Sequence, residues 1–173
     1  MSYFYQFDDV QVPQLFQFIN RAEGLRLARF RRAGVYLYDT YAYTRLDKSR
    51  AETHYSQLFL EPPYRQSIWL VRSMGQLFTQ SSAMISTVRH LSIAVLTERQ
   101  GRHGNMNNAE WLDLLRQFFA VETLHFGGLS VIFVVPALDD LTEEMTAEVL
   151  PALRLLNLEG WSLRFFKQLK FIA

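Results

Sequence analysis

The sequence predicts an α/β fold in which short strands stack side by side in parallel and helices connect them. Two observations carry that expectation. A short pattern, apolar-x-x-Leu-x-apolar, recurs at Tyr55-Leu58-Leu60, Val88-Leu91-Ile93, Val121-Leu124-Phe126 and Leu153-Leu156-Leu158. The last positions of these matches are 33, 33 and 32 residues apart, a register that leucines placed at random rarely keep. Between the matches the hydrophobic period changes from two to helical spacing, as alternating strands and helices require.

Element by element, the reading runs as follows. Tyr5-x-Phe7 and Val35-x-Leu37 are weaker strand candidates, irregularly spaced from the rest. Between them Val12, Leu15, Phe16 and Ile19 fall at i, i+3, i+4 and i+7, with Pro13 suited to a first helical turn. After the Tyr55–Leu60 strand, Leu70, Met74, Leu77 and Phe78 make a second helical stripe. In "NNAEWLDLLRQFF", Asn107 is a candidate N-cap with Glu110 three residues later, and Trp111, Leu114, Leu115 and Phe118 share one face. Thr142 is placed to cap another helix, with Glu143 and Glu144 where the helix dipole favours negative charge.

A strand–helix unit of this size cannot bury its apolar face alone, so neighbours must stack. The expected architecture is a leucine-rich-repeat-like solenoid, with parallel strands and helices on the convex side. Ankyrin and tetratricopeptide repeats have similar periods, but both are built on helical pairs, and the ankyrin string TPLHxA is absent. The domain is expected over residues 3–173, with about five to six irregular repeats. Its tail, "WSLRFFKQLKFIA", keeps Phe165, Phe166, Leu169, Phe171 and Ile172 where a solenoid places a polar cap. The reading is therefore of an array truncated at its C-terminus.

Composition narrows the class. Hydrophobic residues at 49% and aromatics at 14% are too many for a disordered chain. The longest apolar run, Val131–Leu138, is interrupted by Pro136 and falls far below the roughly 18–20 residues of a membrane-spanning helix. The start, "MSYFYQFDDV", has neither the basic nor the apolar region of a secretory signal. Without cysteine there are no disulfides or thiolate metal sites, and a cytoplasmic or nuclear setting is expected. Charge is nearly balanced, 18 Lys/Arg against 17 Asp/Glu, but uneven: Arg21, Arg26, Arg29, Arg31 and Arg32 cluster early. Without a nucleic-acid motif, a solvated face is the favoured reading of that cluster, and a weak nucleic-acid-binding surface the alternative.

Catalytic constellations are missing from the pattern. His90 and His125 fall on strands expected to be adjacent, yet no third ligand shares their register, so no metal site is expected. "GRHGN" (101–105) is neither a Walker loop nor GxGxxG and reads as a turn. No GxSxG elbow occurs. The expectation is of a protein that is not an enzyme and carries no cofactor.

The strings "AEWLDLLRQFFAVETLHF" and "PALDDLTEEMTAEVLPALRLLNLEG" resemble the C-terminal leucine-rich region of fungal F-box-type proteins. "PQLFQFINRAEGLRLARFRRAGVYLYD" and "SIWLVRSMGQLFTQSSAMISTVRHLSI" resemble the same family further upstream, so the similarity runs through most of residues 4–160. The resemblance implies a protein–protein interaction module, the substrate-recognition half of an SCF-type ubiquitin-ligase receptor. No F-box is recognisable, so the SCF adaptor is not expected to dock. The family's turn-forming Asn or Cys is replaced by Pro63, Leu96, Leu129 and Trp161. An orphan solenoid with no specific partner is the alternative.

Alternation also names a surface. If the apolar pairs face inward, the residues between them form an open, concave face, the usual partner surface of a leucine-rich solenoid. That face is expected to carry Tyr36 and Tyr38, then Phe59 and Glu61, His90 and Ser92, Thr123 and His125, and finally Asn157 and Glu159. Tyr36, Tyr38, Phe59, His90 and His125 are expected to form an aromatic centre on neighbouring strands, suited to a binding hot spot. Cross-strand packing is the competing explanation for the same aromatics.

Overall fold

A computed structural model describes residues 29–38, 41–48, 55–60, 67–96, 108–139 and 148–159. Alternation sets the strands. In β1 (Arg32–Tyr38), Ala33, Val35 and Leu37 are buried while Tyr36 and Tyr38 are half-buried on the opposite face. β2 (Ala42–Asp47) repeats the pattern, burying Ala42, Thr44 and Leu46. β3 (Tyr55–Leu60) follows, and then two helices, α1 (Ser67–Gln80) and α2 (Ser82–Ile85). The remaining elements are β4 (His90–Leu96), α3 (Asn108–Arg116), β5 (Thr123–Gly128), α4 (Ser130–Asp139) and β6 (Leu155–Leu158).

The fold is α/β, with an open six-stranded mixed sheet in the order β3-β2-β1-β4-β5-β6. β1, β4, β5 and β6 run parallel, and their apolar positions align row by row. Leu91 lies opposite Leu124 and Leu124 opposite Leu156; Ile93, Phe126 and Leu158 form the next row. Ala33 and Val35 continue these rows onto β1. Each parallel joint opens in the same way: two successive amides donate to one carbonyl on the preceding strand. Arg89 and His90 donate to Arg31, Glu122 and Thr123 to Arg89, and Arg154 and Leu155 to Glu122.

The core lies on one side of this sheet. Val35, Leu91, Ile93, Leu124 and Phe126 join Met74, Leu77 and Phe78 of α1, Trp111, Leu114 and Leu115 of α3, and Val134 of α4 in one buried cluster. Phe78 and Phe118 meet edge to face at 4.9 Å. Of the helical stripes expected from spacing, Met74, Leu77 and Phe78 of the first and Trp111, Leu114, Leu115 and Phe118 of the second are fully buried, while the side chain of Leu70 lies outside the described ones. Arg72 of α1 reaches Glu110 of α3 at 2.9 Å and ties the helices together on their exposed side.

Two expectations are corrected. The sheet is not parallel throughout: β1–β2 and β2–β3 are antiparallel. Only residues 39–41 separate β1 from β2, too few for the crossover that a parallel pair requires, so the chain turns back as a hairpin. The Tyr38 amide bonds the Tyr41 carbonyl at 2.8 Å across that turn. Consequently β3 pairs with β2 at the far edge instead of standing beside β4, and the 33-residue step from Leu60 to Ile93 joins strands that do not touch. β2 itself goes unread in the sequence.

The run Val131–Leu138, which suggests no element by its period, lies within α4 despite Pro136. The carbonyl four residues back from that proline belongs to Ile132, itself 45% exposed, where water can take the missing donor's place. The candidate strand at Tyr5–Phe7, the helix at Val12–Ile19, the Asn107 and Thr142 caps and the apolar tail lie outside the described residues.

Candidate functional site

The face opposite the core carries the chemistry. At one end of it the tyrosines form a column across the β1–β2 hairpin. Tyr36 stacks on Tyr43, directly opposite in the antiparallel register, with centroids 4.6 Å apart and planes within 15°. Tyr38 stacks on Tyr41 at 4.3 Å and lies 6.1 Å from Tyr43. Burial, the neighbouring Tyr38 and Tyr36 and a hydrogen bond with Tyr38 push the Tyr43 phenol up to about 12. Burial, followed by Tyr38, also raises that of Tyr41. With the rings stacked on one another, the ring faces of the column are largely taken up within it.

Beside the column is an open hollow of about 430 Å³ across β2, β1, β4 and β5. Its floor includes Gly34 and Ser92, neighbours in the β1–β4 ladder. Tyr36 forms one wall; Arg32, Arg45, His90 and His125 bring basic groups to the others. Arg45 pairs with Asp47 at 3.1 Å, and His125 Nε2 meets Glu159 Oε2 at 3.1 Å. A second hollow, of about 450 Å³, lies where the parallel strands begin, between Arg29, Arg31, Thr87, Arg89, His90 and Glu122. His90 belongs to both.

The residues expected on the partner face divide into three groups. Tyr36, Ser92, His90 and His125 meet at the first hollow. Tyr38 stands in the tyrosine column; Thr123 lies opposite His90, and Asn157 opposite His125, with Glu159 reaching back to that histidine. Phe59 is opposite Tyr43 in the β2–β3 ladder, with two strands between it and β4, and Glu61 lies outside the described residues. The expected single aromatic centre is thus corrected. The tyrosines gather on the hairpin, whereas His90 sits level with Arg32 at the strand starts and His125 level with Ser92.

The sequence reading missed Tyr43 and Arg45, because β2 was not recognised. Alternation in "AYTRLD" was the available signal. Among the described residues, no three His, Asp or Glu side chains converge as metal ligands. His54, His103 and the "GRHGN" turn lie outside those residues. Among the same residues no helix is long and apolar enough to cross a membrane. No known protein family, curated protein or solved structure matches the chain.

Proposed function

We propose that the chain is a protein-binding module that holds its partner against the open face of the sheet. The carrying observation is the tyrosine column beside a polar hollow, on the face opposite the core of the described residues. Tyrosine contributes large contact area and a polar edge at little cost in side-chain entropy, which is why it concentrates at binding hot spots.

In this reading the three joints of β1, β4, β5 and β6 belong to a leucine-rich-repeat-like array. The repeated double-amide opening and the aligned leucine rows support it. The resemblance to F-box-type proteins suggests the role, substrate holding for a ubiquitin ligase, without docking of the SCF adaptor.

Selection of peptides from a random display library tests the proposal. Selected peptides bind the intact chain and lose at least about tenfold in affinity on replacing Tyr36 and Tyr38 by alanine, as expected of paired hot-spot residues. An exposed helix substitution, Ile132→Ser, leaves their binding unchanged. Equal binding by all three proteins, or failure to select any peptide, overturns the proposal.

A further inference from the structure

The end of the sheet where the parallel strands begin, a rim bordering the open face, is not electrically neutral. Arg31, Arg89, Glu122 and Arg154 occupy equivalent positions just ahead of the strands, linked by the double-amide contacts, so neighbouring side chains start about 4.8 Å apart. The single acid in this row pairs with Arg89 at 3.3 Å. The nearby acids Asp47 and Glu159 are engaged by Arg45 and His125. Arg29, Arg31, Arg32, His90 and Arg154 make no side-chain hydrogen bond or ion pair with another described residue. Four of these five line the two adjoining hollows.

Arginines gathered on one rim without an ion-pair partner among the described residues repel one another, and an anionic occupant relieves that repulsion. We infer that this rim seats an acidic peptide segment, with Asp or Glu side chains entering the two hollows on either side of His90. The inference rests on the protein-binding reading and names its partner class. Arginine forks suit carboxylates, and two adjoining hollows suit an extended chain that presents successive side chains. Single-stranded nucleic acid fits less well. It relies on open aromatic faces for base stacking, and here the tyrosine faces are stacked against each other.

A fluorescein-labelled decaglutamate peptide, followed by anisotropy with the full chain, tests the inference. Binding is expected at about 50 mM salt and weakens severalfold at about 500 mM, where screening is short-ranged. Arg31→Gln with Arg32→Gln weakens it about tenfold. Thermal unfolding of this double variant stays unchanged, because neither side chain has a described partner. Glu122→Gln, which frees Arg89 and removes a like charge, strengthens binding about threefold.

No binding at low salt, or equal binding by wild type and both variants, overturns the inference. Tighter binding of an oligouridylate of equal charge through the same arginines overturns it too. If decaglutamate fails while display-selected peptides still depend on Tyr36 and Tyr38, only the acidic-partner inference falls. If both fail, the protein-binding reading falls with it.

Discussion

Gly34 leaves the space that the Tyr36 ring occupies: a β-carbon built on Gly34 would stand 2.5 Å from Tyr36 Cε2 and 2.9 Å from its hydroxyl oxygen. The ring thus folds back along its own strand over the glycine while stacking on Tyr43. Because Tyr36 is half-buried, it can swing aside when Gly34→Ala is made. Less backbone freedom in the unfolded chain offsets part of that cost by about 0.4–1 kcal/mol. Urea unfolding should therefore change by less than about 1 kcal/mol. The displaced ring closes the hollow, so peptides selected against the face should bind severalfold more weakly. A large loss of stability with unchanged binding would contradict this account.

Leu124 is the middle member of the row Leu91-Leu124-Leu156 and is fully buried. Leu124→Ala should cost about 2–5 kcal/mol, the range for a leucine truncated in a packed core. Leu155 precedes Leu156 on β6, points to the other face and is 48% exposed. Leu155→Ala should change stability by less than about 0.5 kcal/mol. Chemical denaturation of both variants checks the inward and outward assignment. Equal costs would mean that the register is wrong.

The legibility of this fold follows from how local its signals are. Leu91, Leu124 and Leu156 were readable because parallel strands joined by similar crossovers repeat the same apolar spacing. The hairpin was not, because direction is set by the few residues between Tyr38 and Ala42, and "YAYTRLD" carries no leucine pair. Treating Leu60 as one more repeat then placed Phe59 beside the histidines, although two strands intervene. Tyr36 and Tyr38 were found by alternation alone, whereas their partners Tyr41 and Tyr43 required knowledge of the turn. α4 escaped notice because it is apolar nearly all round, so no helical stripe marks it, and Pro136 argued against a helix.

Alkaline pH should destabilise the protein through the tyrosine column. Tyr43 keeps its proton to about pH 12 in the folded chain, against an ordinary value of 10.0, because burial and the adjacent phenols disfavour the phenolate. Below pH 10 both states are protonated and the stabilisation is fully present. Between about 10 and 12 the unfolded chain binds fewer protons than the folded one, so stability falls as pH rises. Phenolate absorbance should show a component that titrates late, toward about pH 12. In Tyr43→Phe that component disappears and unfolding loses part of its pH dependence in this window. An unchanged titration curve would remove Tyr43 as its source.

The corner between β5 and α4 should be a second sensitive point, for reasons of hydrogen bonding and backbone geometry. Ser130 is fully buried, and its hydroxyl is shared between the carbonyls of Gly127, at 2.5 Å, and Ile93, at 3.0 Å. One side chain thus fastens the helix start to β5 and β4. Ser130→Ala removes the only donor the side chain offers, with almost no change in volume, and should cost about 1–3 kcal/mol. Gly128 turns the chain with φ +61, and an added β-carbon would stand 2.7 Å from the Val95 carbonyl oxygen. Gly128→Ala therefore meets left-handed strain of about 1–2 kcal/mol together with a backbone clash that cannot rotate away. The two substitutions act on one corner, so their costs should not add in the double variant. Denaturant midpoints of the single and double variants measure that coupling. Strictly additive costs would show that the serine bonds and the glycine turn hold the corner independently.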